Sequence, residues 1–242
     1  MKIRKQIFFR NVNNQELNEA LRIIRTNLYF LNEEKNSRII LVTSSIPKEG
    51  KSVVASNYAM NLAAIGEKVL LVDCNIRRPV IHKNFNLFFD KGLESVLLGE
   101  YKAEYLILKN IKENLDILPT KIIMNNTIEL FLGEKIKMIL QELKEKYTTI
   151  VLDTPSLIIS SDAAILSKYC EGIVYVVGYN QVTKRELEFG KTILDNAKAN
   201  IYGFVVNRVD KNRSCNRYNG YYTKDYYTKK TGIFGKISRF LK

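Results

Sequence analysis

An apolar strand pattern over residues 38–43 runs straight into Ser45-Ile46-Pro47-Lys48-Glu49-Gly50-Lys51-Ser52, and a helical pattern over 51–65 follows, closed near Gly66. This strand–loop–helix order constrains the fold more than any other feature. A loop at a helix N-terminus presents unpaired backbone N–H groups and the positive end of the helix dipole, which together favour an anion. A Gly that lets the backbone turn and a Lys that supplies a cation complete a phosphate cradle. The eight residues fit a Walker A loop in the strand and helix context that such a loop requires. Lys51 is expected to reach the β- and γ-phosphates of ATP and Ser52 to ligate Mg²⁺. Ser45, Pro47, Lys48, Glu49, Gly50 and Val53 are expected to build the rest of the cradle. Ser45 stands at a position that often carries Gly.

The remaining body alternates in the same way. Residues 15–31 carry Leu17, Leu21, Ile24, Leu28 and Leu31 at helical spacing. Strands are expected over 68–72, 115–118, 149–152, 173–177 and 201–206, and helices over 127–146, 162–169 and 183–197. Ser160, Ser161 or Asp162 caps the second of these helices. Short apolar runs alternating with helices mean parallel strands joined by crossover helices. The expected fold is α/β: a mostly parallel sheet flanked by helices. After Asp210 apolar strand residues give way to Tyr, Lys, Asn and Gly. The expected organisation is an N-terminal segment over 1–36, a P-loop domain over 37–210 and a basic, flexible, tyrosine-rich tail over 211–242.

Two further strands end in carboxylates. Thr149-Ile-Val-Leu-Asp153 has the Walker B pattern, which puts Asp153 at the carboxyl end of a buried strand, facing the Mg²⁺ of the nucleotide. Val69-Leu-Leu-Val-Asp73 continues into Cys74-Asn75-Ile76-Arg77-Arg78-Pro79. An apolar strand followed by Asp-x-Asp-x-Arg-x-Pro resembles the second acidic motif (Walker A′) of the bacterial tyrosine kinases of capsule and exopolysaccharide synthesis. Asn75 replaces the second acid; its carbonyl can still accept or ligate, but it brings no charge. Glu19-x-x-Arg22-x-x-Arg25 resembles that family's N-terminal oligomerisation motif. Asp153-Thr-Pro155 followed by Asp162-Ala resembles its segment after Walker B. The resemblance covers most of the chain. It implies that Asp73 orients or deprotonates a tyrosine hydroxyl and shares the metal with Ser52 and Asp153. It implies that Asn75 and Arg77 complete the catalytic set with Lys51 and Asp153, Arg77 steadying phosphate charge. Asn207-Arg208, after the last strand, sits where related ATPases contact adenine. An Asn amide can both donate and accept there; a plain turn explains the pair as well.

The tail holds Tyr218, Tyr221, Tyr222, Tyr226 and Tyr227, the substrates such a kinase would phosphorylate in itself. Partition and division-site ATPases are the runner-up family. They carry a second Lys five positions before the P-loop Lys, where this chain has Ile46. A weakly active nucleotide-binding regulator of polysaccharide export is a third reading, favoured by Asn75.

Charge and cysteines limit the remaining options. The net charge is +13, of which residues 1–10 carry +4 and residues 211–242 carry +8, so the body is nearly neutral. Basic ends on a neutral body argue against a nucleic-acid partner. Hydrophobic residues at 46% rule out a disordered chain. Cys74, Cys170 and Cys215 are scattered, which excludes a zinc motif and a disulfide framework and fits a reducing cytoplasm. No apolar run is long enough to span a bilayer. The expected partners are a separate membrane-bound polysaccharide co-polymerase that activates the kinase, and further copies of the chain in a ring. Ile233, Phe234, Ile237, Phe240 and Leu241 fall on one helical face opposite Lys236, Arg239 and Lys242, a pattern that suits an anionic membrane surface. This places the chain in the cytoplasm, recruited to the inner face of the membrane. His82 and Cys74 are expected to be structural.

Overall fold

The computed structural model describes residues 14–30, 37–122 and 127–209. The chain forms two units, Met1–Asn207 and Arg208–Lys242. All five tail tyrosines and the amphipathic C-terminal pattern lie outside the described residues.

Seven strands form one sheet in the order β3-β4-β2-β5-β1-β6-β7. They are β1 (Arg38–Ser44), β2 (Val69–Asp73), β3 (Leu108–Lys112), β4 (Leu115–Leu118), β5 (Thr149–Asp153), β6 (Gly172–Gly178) and β7 (Ile201–Asn207). Every pairing is parallel except β3 with β4. That exception was missed because Leu108-Lys-Asn-Ile-Lys112 lacks a continuous apolar run. An edge strand needs none, and its residues are indeed only partly buried or exposed. The turn into β4 is made by Asn114 at positive φ, and Asp116 accepts a hydrogen bond from the Asn110 N–H (2.7 Å).

Strands β1, β2, β4 and β5 are buried along their whole length because helices cover both faces. Alternation sorts their side chains into two layers. Ile39, Leu41, Leu70, Val72, Ile150 and Leu152 pack on one side. There they meet Leu93 of α4 (Leu93–Leu98), Phe131 of α6 (Thr127–Phe131), Leu140 of α7 (Glu134–Lys144) and Leu194 of α9 (Lys184–Asn196). Ile40, Val42, Leu71 and Val151 face the other way, against α2 (Lys51–Ala63), Leu28 of α1 (Asn14–Phe30) and Ile81 of α3 (Ile81–Phe85). Helix α2 is sandwiched between sheet and α1, so most of its surface is buried and it shows little amphipathic stripe.

The helix expected over 127–146 is two helices. Gly133 adopts φ +118, which an α-helix cannot accommodate, and α6 stops before it while α7 starts after it. The helix expected over 162–169 is α8 (Asp162–Leu166) tightening into a 3₁₀ turn, Ser167–Tyr169. The cap is Ser161 by position, yet the side-chain bond comes from Ser160, whose Oγ accepts from the Asp162 N–H (3.2 Å). Helix α9 starts on a full capping box, Thr183 with Glu186. Short helices α3, α4 and α5 (Ala103–Leu106) fill the connection from β2 to β3. They are too brief for periodicity to show.

Candidate nucleotide and phosphoryl-transfer site

The carboxyl ends of β1, β2 and β5 lie side by side, the place where open parallel sheets bind ligands. The P-loop leaves β1 there and enters α2 at Gly50, with φ +92. Lys48 is also left-handed, with φ +69. Alternating left- and right-handed residues turn successive N–H groups to one side, the geometry of an anion nest. A Cβ on Gly50 would lie 2.0 Å from Asn207 Nδ2, so glycine is required for space as well as for φ.

Several P-loop side chains are used to hold the shape of the loop. Glu49 is fully buried and does not face outward. Its Oε2 accepts from the Ile46 N–H (2.8 Å) and its Oε1 from the Gly178 N–H at the end of β6 (2.8 Å). It is a strut that sets the loop's shape. Ser45 is also buried, its hydroxyl paired with that of Tyr175 (2.8 Å). Gly190 of α9 leaves room for that tyrosine, since a Cβ there would meet its hydroxyl at 2.2 Å. Pro47 and Lys48 are exposed at the loop's apex, and Lys51 is buried behind it. Asn207 donates from Nδ2 to the Glu49 carbonyl (2.8 Å). Its amide nitrogen therefore braces the P-loop backbone. Arg208 follows at φ +61.

The segment after Walker B is laced to the end of β1. Thr154 donates to the Val42 carbonyl (2.9 Å), Thr43 to the Pro155 carbonyl (2.9 Å), and the Leu157 N–H to the Ser44 carbonyl (2.9 Å). Asp153 and Asp73 are Cα partners on adjacent strands, and both are fully buried. Neither Asp153 oxygen has a hydrogen-bond partner. Burial pushes its carboxyl up to about 6, against the Lys51 ammonium and the Ser52 hydroxyl, which pull it down. Ser52 exerts that pull without closing a bond of good geometry. Two orphaned carboxylate oxygens beside a Ser hydroxyl are an oxygen donor set that fits a hard divalent cation, and the Lys51 cation beside them suits a phosphate.

Asp73 has a different environment. Its Oδ1 accepts from the Asn75 N–H (3.1 Å) and its Oδ2 from the N–H groups of Val80 (3.1 Å) and Ile81 (3.0 Å). It thus folds the whole 74–81 loop around itself, which closes it off from solvent. Burial, and then the charge of Asp153, raise its proton affinity well above the usual carboxylate range. Asn75 shapes the same loop, its Oδ1 accepting from the Arg78 N–H (3.3 Å). Arg77 points to Asp162 at the start of α8, with Nε 3.8 Å from Oδ2.

In α1, Glu19 and Arg22 form an exposed pair (3.3 Å). Arg25 is turned inward to the side-chain amide oxygen of Asn61 in α2 (3.0 Å), while Glu19 and Arg22 pair on the exposed side. His82 packs edge-on against Phe89 (5.7 Å between centroids). Glu49 as a strut and Asp162 as the partner of Arg77 were not foreseen from sequence. The sequence signals for Asp162 were its place after Walker B and its candidacy as a helix cap.

The sequence matches the AAA domain family over residues 37–174. It is 33% identical to the tyrosine-protein kinase YwqD of Bacillus subtilis over 213 residues, 88% of this chain and 89% of that one. It is 31% identical to the putative tyrosine-protein kinase CapB of Staphylococcus aureus, covering 84% of this chain and 90% of that one. The kinase domain of the Escherichia coli tyrosine kinase ETK superposes with a TM-score of 0.78 at 26% identity, over 88% of this chain and 87% of that one. The septum site-determining protein MinD of Pyrococcus horikoshii, solved with Mg-ADP, is a more distant likeness, at TM-score 0.61 and 26% identity over 70% of each chain. The runner-up division-site reading therefore describes a shared nucleotide-binding fold. Over nearly its whole length, this chain belongs to the bacterial tyrosine kinase family.

Proposed function

We propose that the chain transfers the γ-phosphoryl group of Mg-ATP to tyrosines of its own tail and thereby regulates capsule or exopolysaccharide synthesis. The observation that carries this reading is the grouping of Lys51, Ser52 and the orphaned carboxylate of Asp153 at the mouth of the P-loop nest. The N–H groups of residues 48–52 and Lys51 bind the phosphates. Ser52 and Asp153 hold Mg²⁺, which, when bound, neutralises charge on the transferring group. Asp73 sets the loop that carries Asn75 and Arg77, and its high proton affinity suits it to take the phenol proton once that loop admits a tyrosine. Lys51 and Arg77 stabilise charge that develops on phosphate.

Tyr218, Tyr221, Tyr222, Tyr226 and Tyr227 are the acceptors in this reading. Each phosphate adds about −1.5 to −2 charge, so full modification would cancel the tail's +8. A separate membrane-bound activator, a ring of copies and an anionic membrane are the partners proposed from the family and from the tail pattern. Among the described residues no helix is long and apolar enough to cross a membrane. The test is phosphotyrosine detection and mass spectrometry on the whole chain with Mg-ATP, beside Lys51→Met. Phosphate on residues 218–227 in the wild type and none in the variant is expected. Equal phosphorylation in both would sink the assignment of the site.

A further inference from the structure

Asp162 is fully buried, and neither of its carboxylate oxygens has a hydrogen-bond partner among the described residues. An ion so placed is costly unless a counter-charge faces it. The cation that faces it is Arg77, from the 74–81 loop, with Nε 3.8 Å from Oδ2. That separation makes an ion pair but not a hydrogen bond. Arg77 Nε is itself buried without a partner. About a third of the Arg77 side chain remains exposed (35%), whereas Asp162 has none of its surface exposed. The anion is thus fixed by its position on α8, where Ser160 holds its N–H, and the cation is the member that retains access to solvent. A guanidinium drawn from its Nε side leaves its outer N–H groups to meet a second anion.

We propose that Asp162 is a positioning residue: it aims Arg77 so that the outer edge of the guanidinium meets the terminal phosphate of the bound nucleotide. This rests on the reading of the site as a nucleotide-phosphate site, but not on tyrosine as the acceptor. The loop that carries Arg77 is folded around Asp73, which is in register with Asp153. Arg77 is therefore anchored at both ends, by the Asp73 loop through its backbone and by Asp162 through its side chain. An arginine held in this way discriminates nucleotides by their third phosphate.

The test is the ratio of affinities for a slowly hydrolysed ATP analogue and for ADP, measured by fluorescence titration on the whole chain. Asp162→Asn and Arg77→Ala should each lower that ratio about tenfold, the size of one charge-assisted contact, with ADP binding changed less than twofold. The double variant should fall no further. Added guanidinium ion should restore the ratio in Arg77→Ala but not in Arg77→Ala/Asp162→Asn. A merely structural Asp162 would weaken both nucleotides equally, and that result overturns the proposal. If Asp162→Asn does not fold, Arg77→Ala decides: an unchanged ratio overturns the proposal, and a lowered ratio rescued by guanidinium supports it. A wild type that prefers the ATP analogue yet forms no phosphotyrosine would sink the kinase reading and leave this proposal standing.

Discussion

Gly50→Ala probes how the P-loop is held, and its cost can be worked from two contacts. At φ +92 an alanine suffers left-handed strain, about 1 kcal/mol. Its Cβ would also sit 2.0 Å from Asn207 Nδ2, so that amide must leave. Leaving breaks its 2.8 Å bond to the Glu49 carbonyl, about another 1 kcal/mol. A loss of roughly 2–3 kcal/mol should lower Tm by about 5–10 °C for a chain of this size. The two terms separate in a double-mutant cycle read by thermal unfolding. In an Asn207→Ala background the clash is gone, and Gly50→Ala should cost only the dihedral strain. The expected coupling between the two sites is about 1 kcal/mol. Equal Tm losses from Gly50→Ala in both backgrounds would show that Asn207 does not pack on the loop, and the argument would fail.

Glu49→Gln should cost about 1–3 kcal/mol in a thermal melt and weaken nucleotide binding, because one of the two N–H groups at residues 46 and 178 would then face an amide NH₂. Asp153 has a folded pKa raised to about 6 by burial, so the folded state holds its proton more tightly than the unfolded chain does. Its contribution is therefore present at low pH and lost as pH rises from about 4 through about 6. Relative to Asp153→Asn, nucleotide-free wild type should lose about 3 kcal/mol of stability across that window, and parallel pH–stability curves would refute the buried charge. Because Arg25 is engaged with Asn61, Glu19→Ala/Arg22→Ala should suffice to reduce any oligomer seen by light scattering; an unchanged oligomer would place the contact elsewhere.

The fold was legible where burial on both faces forced long apolar runs. Strands β1, β2, β4, β5 and β6 were placed to within a residue at each end, and the edge strand β7 was placed as well because its apolar run persists although it is only half-buried. Strand β3 and helices α3 to α5 were not, since half-exposed or one-turn elements leave no period to read. In the site, motifs fixed which residues gather but not which way they face. Glu49 and Asn207 lie in or beside the nucleotide motifs, yet their side chains brace backbone. That was beyond reach because the bracing partners, Gly178 and the Glu49 carbonyl, lie about 130 to 160 residues away and are backbone groups without a sequence signal. Arg25 kept its helical spacing to Glu19 and Arg22, but a three-residue step carries it around the helix far enough to meet α2.

Three buried aspartates at one end of the sheet look alike in sequence, each following or ending an apolar segment. Hydrogen-bond accounting gives them three different employments. Asp73 receives three backbone N–H groups and is satisfied by the protein alone, so its place is to fold the loop after β2. Asp162 receives none, but a guanidinium stands across from it. Asp153 also receives none, and the nearest help is a lysine and a serine hydroxyl that do not complete a bond. A buried carboxylate without donors is a standing deficit, and its burial raises its proton affinity accordingly. In the proposed reading a divalent cation would remove that deficit and, with Lys51, draw in an anionic nucleotide. On the same reading it is this unsatisfied carboxylate of Asp153, rather than Asp73, that would make the P-loop mouth select a metal together with its phosphates.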